Sequence, residues 1–301
     1  MKTDNVFIDG SFLSYRSQTQ HCQVLGYKSS KDRWIPTGTL FSFFRDLVYL
    51  IDRYGASAKW AVIWDRESTV RKQIDPQYKA NRRKDYDEGA LEQYSSMKIQ
   101  MKELQVMLPS AGIAQYWCPG YEADDVLATL VDMSEGRTVV VARDKDLYQF
   151  LRRGVRLYDL SKEKNYTWYK EEYGIEPWQW VVVQSLAGDS TDNIKGASGV
   201  GIKTAVKLVR TYKTLDGVLA SGVLKEGDVH VIRLAEQLVT LRKYLLLDFT
   251  PSAFDSRKLQ KFLEAKRMQR ILERLDAFES VQSYDMEIGG DTASQESGVE
   301  F

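Results

Sequence analysis

Apolar positions in the first 160 residues alternate between short unbroken runs and longer stretches at helical spacing. Residues 6–8, 60–64, 113–117, 138–142 and 155–158 read as short strands, mostly apolar runs of the kind buried on both faces. Between them, 38–53, 92–108 and 123–133 carry the period of amphipathic helices. This alternation predicts an α/β fold, with a mostly parallel central sheet and flanking helices. Ligands of such sheets sit at the carboxyl ends of the strands. Past about residue 175 the pattern turns helical, over 178–187, 203–212, 230–247 and 258–281, with Gly-rich turns between. The expected organisation is an α/β core over 1–187, a helical region over 188–285, and an aperiodic tail over 286–301 that is expected to be disordered. No Pro- or Ser-rich linker separates the first two, and no repeat recurs at a period of 20–50 residues.

Composition removes whole classes. With 43% apolar residues, 7 Trp, 17 Tyr and 11 Phe, the 301-residue chain can build a core and is not disordered throughout. Cys22 and Cys118 alone make no disulfide framework and read as reduced thiols of a cytoplasmic protein. No apolar run approaches the ~18–20 residues of a membrane span. The first nine residues place acids where a signal peptide needs apolar ones. Lys+Arg total 42 and Asp+Glu 42, so the net charge is zero. That sum argues against a polyanionic partner only until the acids are located.

The acids are not scattered. Asp9 ends the first expected strand, Asp65 the second, and Asp144 and Asp146 follow the fourth. Glu122, Asp124 and Asp125 open the helix beyond the third strand, and Asp189 and Asp192 lie one helical turn apart at the entrance of the second region. Any one of these reads as a cap or turn residue. Five groups at equivalent topological positions predict crowding that carboxylates do not tolerate without a cation. An all-oxygen donor set points to Mg²⁺ or Mn²⁺, in a two-ion arrangement. His21 and His230 lie far from the acids in sequence and no cysteine pair is at hand, which argues against zinc. With these nine acids assigned to metal, 42 cations face 33 acids on the rest of the chain, a balance suited to a polyanion.

Two further stretches fit that partner. Arg71, Lys72, Lys79, Arg82, Arg83 and Lys84 follow Asp65 with only Asp75 opposing them, and Tyr78 offers a ring for an unpaired base. Arg16, seven residues after Asp9, is another candidate phosphate contact. Further on, Gly196, Gly199 and Gly201 lead through Lys203 and Thr204 into an apolar-periodic helix. Ile202 spoils a P-loop, and no strand precedes to make a dinucleotide fingerprint. Two helices joined by Gly-x-Gly resemble a helix-hairpin-helix, whose backbone N–H groups approach a DNA phosphate.

Taken together, these blocks resemble the 5′-nuclease family, the flap endonucleases and 5′→3′ exonucleases of phages and of the N-terminal domains of bacterial DNA polymerase I. The matching residues are Phe7-Ile-Asp9-Gly10, Trp64-Asp65, Tyr78-Lys79-Ala-Asn-Arg82, Gly120-Tyr-Glu122-Ala-Asp124-Asp125, Arg143-Asp144-Lys-Asp146-Leu and Gly188-Asp189-Ser-Thr-Asp192-Asn193-Ile. They span residues 6–212, about two-thirds of the chain. The resemblance implies a first metal cluster at Asp9, Asp65, Glu122 and Asp124, and a second at Asp125, Asp144, Asp146, Asp189 and Asp192. It implies that Lys79 and Arg82 stand at the base of a helical arch over about 70–100, with Tyr78 and Arg16 as matching DNA contacts. The second half of that arch turns acidic at Asp85, Asp87 and Glu88.

The implied activity is metal-dependent hydrolysis of phosphodiesters near a single-strand/duplex junction, with Lys79, Arg82, Asp144 and Asp146 in catalytic roles. The implied cofactors are two Mg²⁺ ions, replaceable by Mn²⁺, and a K⁺ at the helix-hairpin-helix. The expected partners are DNA flaps, forks or ends and RNA–DNA hybrids. A DNA polymerase, clamp or single-strand-binding protein is the expected protein partner, and the chain itself is expected to be a monomer without membrane contact. Two rivals stay open. A junction-binding module with a structural metal would survive loss of the acids. A small-molecule phosphatase would have no use for residues 71–84 or the glycine hairpin.

Overall fold

The computed structural model describes residues 3–21, 25–82 and 86–284, leaving aside the side chains of 17–21. Arg83, Lys84, Cys22 and the 286–301 tail therefore lie outside the described residues. The central strand β1 (Asn5–Asp9) is parallel to β4 (Lys59–Ile63) on one side and to β6 (Thr138–Val141) on the other. Beyond these, β5 (Ala114–Trp117) and β7 (Val155–Tyr158) continue the parallel pairing. Antiparallel β8 (Glu163–Asn165) and β9 (Asp248–Thr250) close the two edges. A final strand, β10 (Gln282–Ser283), runs beside the first two residues of β4. The order is β8-β7-β6-β1-β4-β5-β9, and a separate hairpin pairs β2 (Gly26–Lys28) with β3 (Trp34–Pro36).

Both faces of the central strands are covered, which is why they read as unbroken apolar runs. Val6, Ile8, Trp60 and Val62 point into one core with α1 (Gly10–His21), α2 (Gly38–Tyr54), α4 (Glu88–Met107), α11 (Ser256–Ala265) and α12 (Gln269–Leu272). Phe7, Ala61 and Ile63 point into the other. That second core takes in α5 (Ala123–Met133), α6 (Tyr166–Tyr173), α7 (Trp180–Ala187), α8 (Ile202–Tyr212), α9 (Leu215–Ala220) and α10 (Val229–Val239). The short α3 (Thr69–Ile74) packs on α10. The chain passes from β1 to β4 and β5 on one side, then crosses to β6 and β7 on the other. The crevice above β1 is thus the switch point where such sheets bind ligands.

Two expected helices are shorter than their apolar pattern. The helix over 230–247 ends at Val239, because the backbone N–H groups of Leu241 and Arg242 are taken by Gln149 and Asp125. The one over 258–281 divides into α11, α12 and a 3₁₀ turn at Leu275–Phe278, with Arg267 in the left-handed region at φ 55°. Residues 248–284 also return to the sheet through β9 and β10, so part of the region expected to be purely helical completes the α/β layer. Among the described residues, no helix is long and apolar enough to cross a membrane.

Candidate metal centre

The carboxyl edge of the sheet gathers acids from four connections. Asp9 ends β1, and its Oδ1 accepts the Phe12 N–H at 2.9 Å, opening α1. Asp65 lies two residues past β4 and accepts the N–H of Ala123, the first residue of α5, at 2.9 Å. Asp124 follows in the first turn of that helix. After β6, Asp144 accepts the Asp146 N–H at 2.9 Å, and Asp146 begins a 3₁₀ turn at Asp146–Phe150. Asp124, Asp144 and Asp146 each offer a carboxylate oxygen within 4.8 Å of the others.

These groups are held against their ordinary ionisation. Burial, then the carboxylates of Asp65 and Asp144, push Asp9 up to about 8. Asp124 is raised well above the usual range by burial and by Asp144, Asp9, Asp146 and Asp65. Asp144 and Asp146 are raised as well, burial again leading. The ion pairs of the site fall on other acids. Among the described residues this crowded, all-oxygen set has no paired cation, and it fits a hard divalent ion, which would supply the missing positive charge.

A second set of acids is fully partnered. Glu122 takes the Tyr78 hydroxyl at 2.8 Å, the Lys79 ammonium and the Ser68 hydroxyl, with Arg71 at 3.5 Å. Burial alone would raise Glu122, but Lys79 and Arg71 outweigh it and bring it to about 2. Asp192 meets Arg82 at 2.5 Å, Tyr78 at 3.3 Å and Lys79 at 3.4 Å. Lys79 itself sits in the left-handed region at φ 56°, and its N–H donates to the Asp192 carbonyl at 2.9 Å. The backbone thus fixes the lysine over the acids at some conformational cost. Asp125 accepts both arms of Arg71, at 2.5 and 2.8 Å, and the Arg242 N–H at 2.8 Å. Asp189 accepts the N–H groups of Thr191 and Asp192 at 2.7 and 3.3 Å, shaping the turn beside Asp144.

Several expected roles change accordingly. Asp125 is wholly buried and its oxygens are occupied by Arg71, so it stands outside the cation cluster. Arg71 is buried too, and also holds the carbonyls of Leu238 and Thr240, so it has no face for DNA. Tyr78 presents no free ring here: it is buried with Ile194, Ala235 and Leu238, and its hydroxyl binds the acids. Arg16 pairs with Asp46 of α2 at 2.6 Å. Gly196 serves packing, since a Cβ there would lie 2.4 Å from the backbone of residues 187 and 188. Gly199, at φ +76°, and Gly201 face open space, and Lys203 and Thr204 are exposed in the first turn of α8. Arg83 lies outside the described residues. Over the stretch expected to form the arch lie α3, turns as far as Arg82, and α4. From Met97 onward α4 is packed down, with Gln100 accepting the N–H groups of Thr39 and Leu40 at 2.9 and 3.2 Å.

Two clefts flank the acids. One of about 690 Å³ is lined by Asp65, Lys79, Arg82, Tyr94 and Glu122, the other of about 640 Å³ by Arg82, Asp144, Gln184, Asp189 and Asp192. A cavity of about 700 Å³ between α2 and residues 266–271 includes none of the clustered acids, and the chemistry places the site in the clefts. Sequence reasoning singles out neither Ser68 on Glu122 nor Gln184, whose amide donates to Asp146. A lone polar residue in an apolar helix carries no spacing that marks it.

The family model for the 5′-3′ exonuclease N-terminal resolvase-like domain matches residues 4–179, and that for the 5′-3′ exonuclease C-terminal SAM fold matches 175–262. The chain belongs to the 5′-3′ exonuclease family. It is 30% identical over 293 residues to the thermostable DNA polymerase I of Thermus thermophilus, covering 91% of this chain and 33% of that protein. It is 34% identical over 184 residues to a 5′-3′ exonuclease of Halalkalibacterium halodurans, covering 58% of each. The chain thus spans about a third of the first relative's length and just over half of the second's. The fold is that of the phage T5 D15 protein co-crystallized with metal ions, at a TM-score of 0.66 and 18% identity over 92% of this chain and 99% of the other. The T5 D15 protein has also been crystallised as a flap endonuclease pseudo-enzyme-product complex with DNA and metal ions, at a TM-score of 0.63 and 19% identity, covering 92% and 98%.

Proposed function

We propose that this chain is a structure-specific 5′-nuclease, hydrolysing DNA phosphodiesters at flaps, forks and ends during replication or repair. RNA strands of RNA–DNA hybrids are included, and a DNA polymerase, clamp or single-strand-binding protein is the class of protein partner. The observation that carries the reading is the crowded carboxylate set Asp9, Asp124, Asp144 and Asp146, with Lys79 and Arg82 held at its rim. Two divalent cations on Asp9, Asp65, Asp124, Asp144 and Asp146, Mg²⁺ by donor chemistry with Mn²⁺ able to replace it, supply water activation and neutralise developing charge.

The remaining contributions are the chain's own. Lys79 and Arg82 leave Glu122 and Asp192 for the phosphate oxygens, exchanging one anion for another. Tyr78 and Ser68 hold Glu122 in place while that exchange happens. Duplex phosphates would lie along Gly199, Gly201, Lys203 and Thr204 at the N-terminus of α8, the segment that would also hold a K⁺ to offset their charge. The bond from phosphorus to the 3′-oxygen breaks, leaving a 5′-phosphate and a 3′-hydroxyl.

The test is cleavage of a 5′-flapped DNA labelled at either end, in Mg²⁺ and in EDTA, beside Asp144→Ala. Cleavage near the junction that requires both the metal and Asp144 is the expected result. Tight flap binding with no cleavage in Mg²⁺ or Mn²⁺ replaces the nuclease with a junction-binding module.

A further inference from the structure

A line of amide hydrogen bonds runs from the end of α10 to the metal cluster. The Leu241 N–H donates to Gln149 Oε1 at 3.1 Å, and Gln149 Nε2 donates to the Val239 carbonyl at 2.7 Å. A backbone N–H only donates and a carbonyl only accepts, so the orientation of the Gln149 amide is dictated. Its second amide hydrogen meets Gln184 Oε1 at 3.2 Å. That contact turns the Gln184 amide so that its Nε2 can only face outward, where it donates to Asp146 Oδ1. Gln184 is buried in α7, so bulk water is a poor substitute for these partners. Asp146 lies in the same 3₁₀ turn as Gln149 and is one of the three carboxylates drawn together at the sheet edge.

We propose that Gln149 and Gln184 are positioning residues that fix one oxygen of Asp146 and present the other to a divalent cation. The inference rests on the metal-dependent reading above. A neutral donor suits this place better than Lys or Arg. It orients the carboxylate and favours its ionised form without adding the positive charge that the cation brings. The relay also ties the metal ligand to residues 239–241, at the end of α10. Arg71 holds that segment a second time, through the carbonyls of Leu238 and Thr240. A shift of α10 would therefore reach Asp146 through two amides.

The experiment measures Mn²⁺ binding by calorimetry without DNA, and the Mg²⁺ dependence of flap cleavage, for the parent, Gln184→Leu, Gln149→Leu and the double variant. Gln184→Leu is expected to weaken Mn²⁺ binding ~10–100-fold, as loss of such outer partners does elsewhere. The half-saturating Mg²⁺ concentration should rise by the same factor, with turnover recovering at saturating Mg²⁺. A packing defect lowers the melting temperature without producing that split. Gln149→Leu should move in the same direction, and the double variant should be no worse than Gln184→Leu alone, because both act through one contact. If Gln184→Leu does not fold, Gln149→Leu carries the test. Parent-like Mn²⁺ affinity in folded variants overturns the relay and leaves the nuclease reading standing. A parent that neither binds Mn²⁺ nor cuts DNA overturns that reading itself.

Discussion

Two groups of carboxylates share one sheet edge and live in opposite electrostatic worlds. Asp9, Asp124, Asp144 and Asp146 crowd together at the cleft, and burial and their mutual repulsion push them toward the protonated state. Glu122, Asp125 and Asp192 are buried more deeply, yet each is paired with Arg71, Lys79 or Arg82. The difference is a matter of which charge the protein brings for itself. The partnered group is complete when the chain folds and frames the site. The other group is left short of positive charge, and the shortage is what a cation binds to. Stability and function are therefore set against each other in the first group and aligned in the second.

The comparison breaks most readily under one chemical change made on both sides. Asp124→Asn removes a charge that the fold does not want, so the metal-free protein should melt at a higher temperature while cleavage falls at least ~10³-fold. Glu122→Gln removes a charge that Lys79 and Arg71 require, and should cost about 1–3 kcal/mol of stability. Melting curves in EDTA and single-turnover cleavage of a flap read both quantities. Shifts of the same sign in the two variants would end the distinction.

Arg71 sharpens it from the cation side. Arg71→Met strands Asp125 as a buried charge without its partner, at an expected cost of about 3–5 kcal/mol in urea unfolding. Cleavage per folded molecule should fall far less than for Asp124→Asn, because Asp125 lies outside the cation cluster. Adding Asp125→Asn should restore part of the lost stability. A loss under 1 kcal/mol for the single change would mean that the pair contributes little and that Asp125 finds another partner.

What was legible in advance follows the same physics. The parallel strands β1, β4 and β6 were readable because burial on both faces leaves apolar runs, β5 and β7 less sharply because Gln115 and Arg156 interrupt them, and the strand-end aspartates followed from their position. The pairing was not readable. Arg71, Lys79 and Arg82 look alike as letters, yet one is sealed under α10 and the other two stand at the cleft. Tyr78 looks like a stacking platform until its ring is found buried and its hydroxyl bound to Glu122. Gly196 and Gly199 look equivalent, but one lies against the backbone of residues 187 and 188 and the other against open space. The short edge strands β9 and β10 exist through partners more than 130 residues away in sequence, which no local pattern encodes.

The measurement that tests both groups in a single curve is the pH dependence of the metal-free protein. Asp9 moves from an ordinary 3.8 up to about 8. The stability it contributes is thus fully present below its unfolded value and is lost as pH rises through 8. Asp124, Asp144 and Asp146 shift in the same direction. Glu122 moves from 4.5 down to about 2, so its contribution is present above its unfolded value and lost as pH falls toward 2. In EDTA, melting temperature should therefore peak near pH ~4–5 and decline toward pH ~8. Mg²⁺ should flatten the alkaline limb, because a cation takes the place of the missing protons, and leave the acid limb where it was. A metal-free protein that grows more stable from pH ~5 to ~8 would mean that the first group is neutralised by the chain after all, and the contrast with Glu122 would vanish.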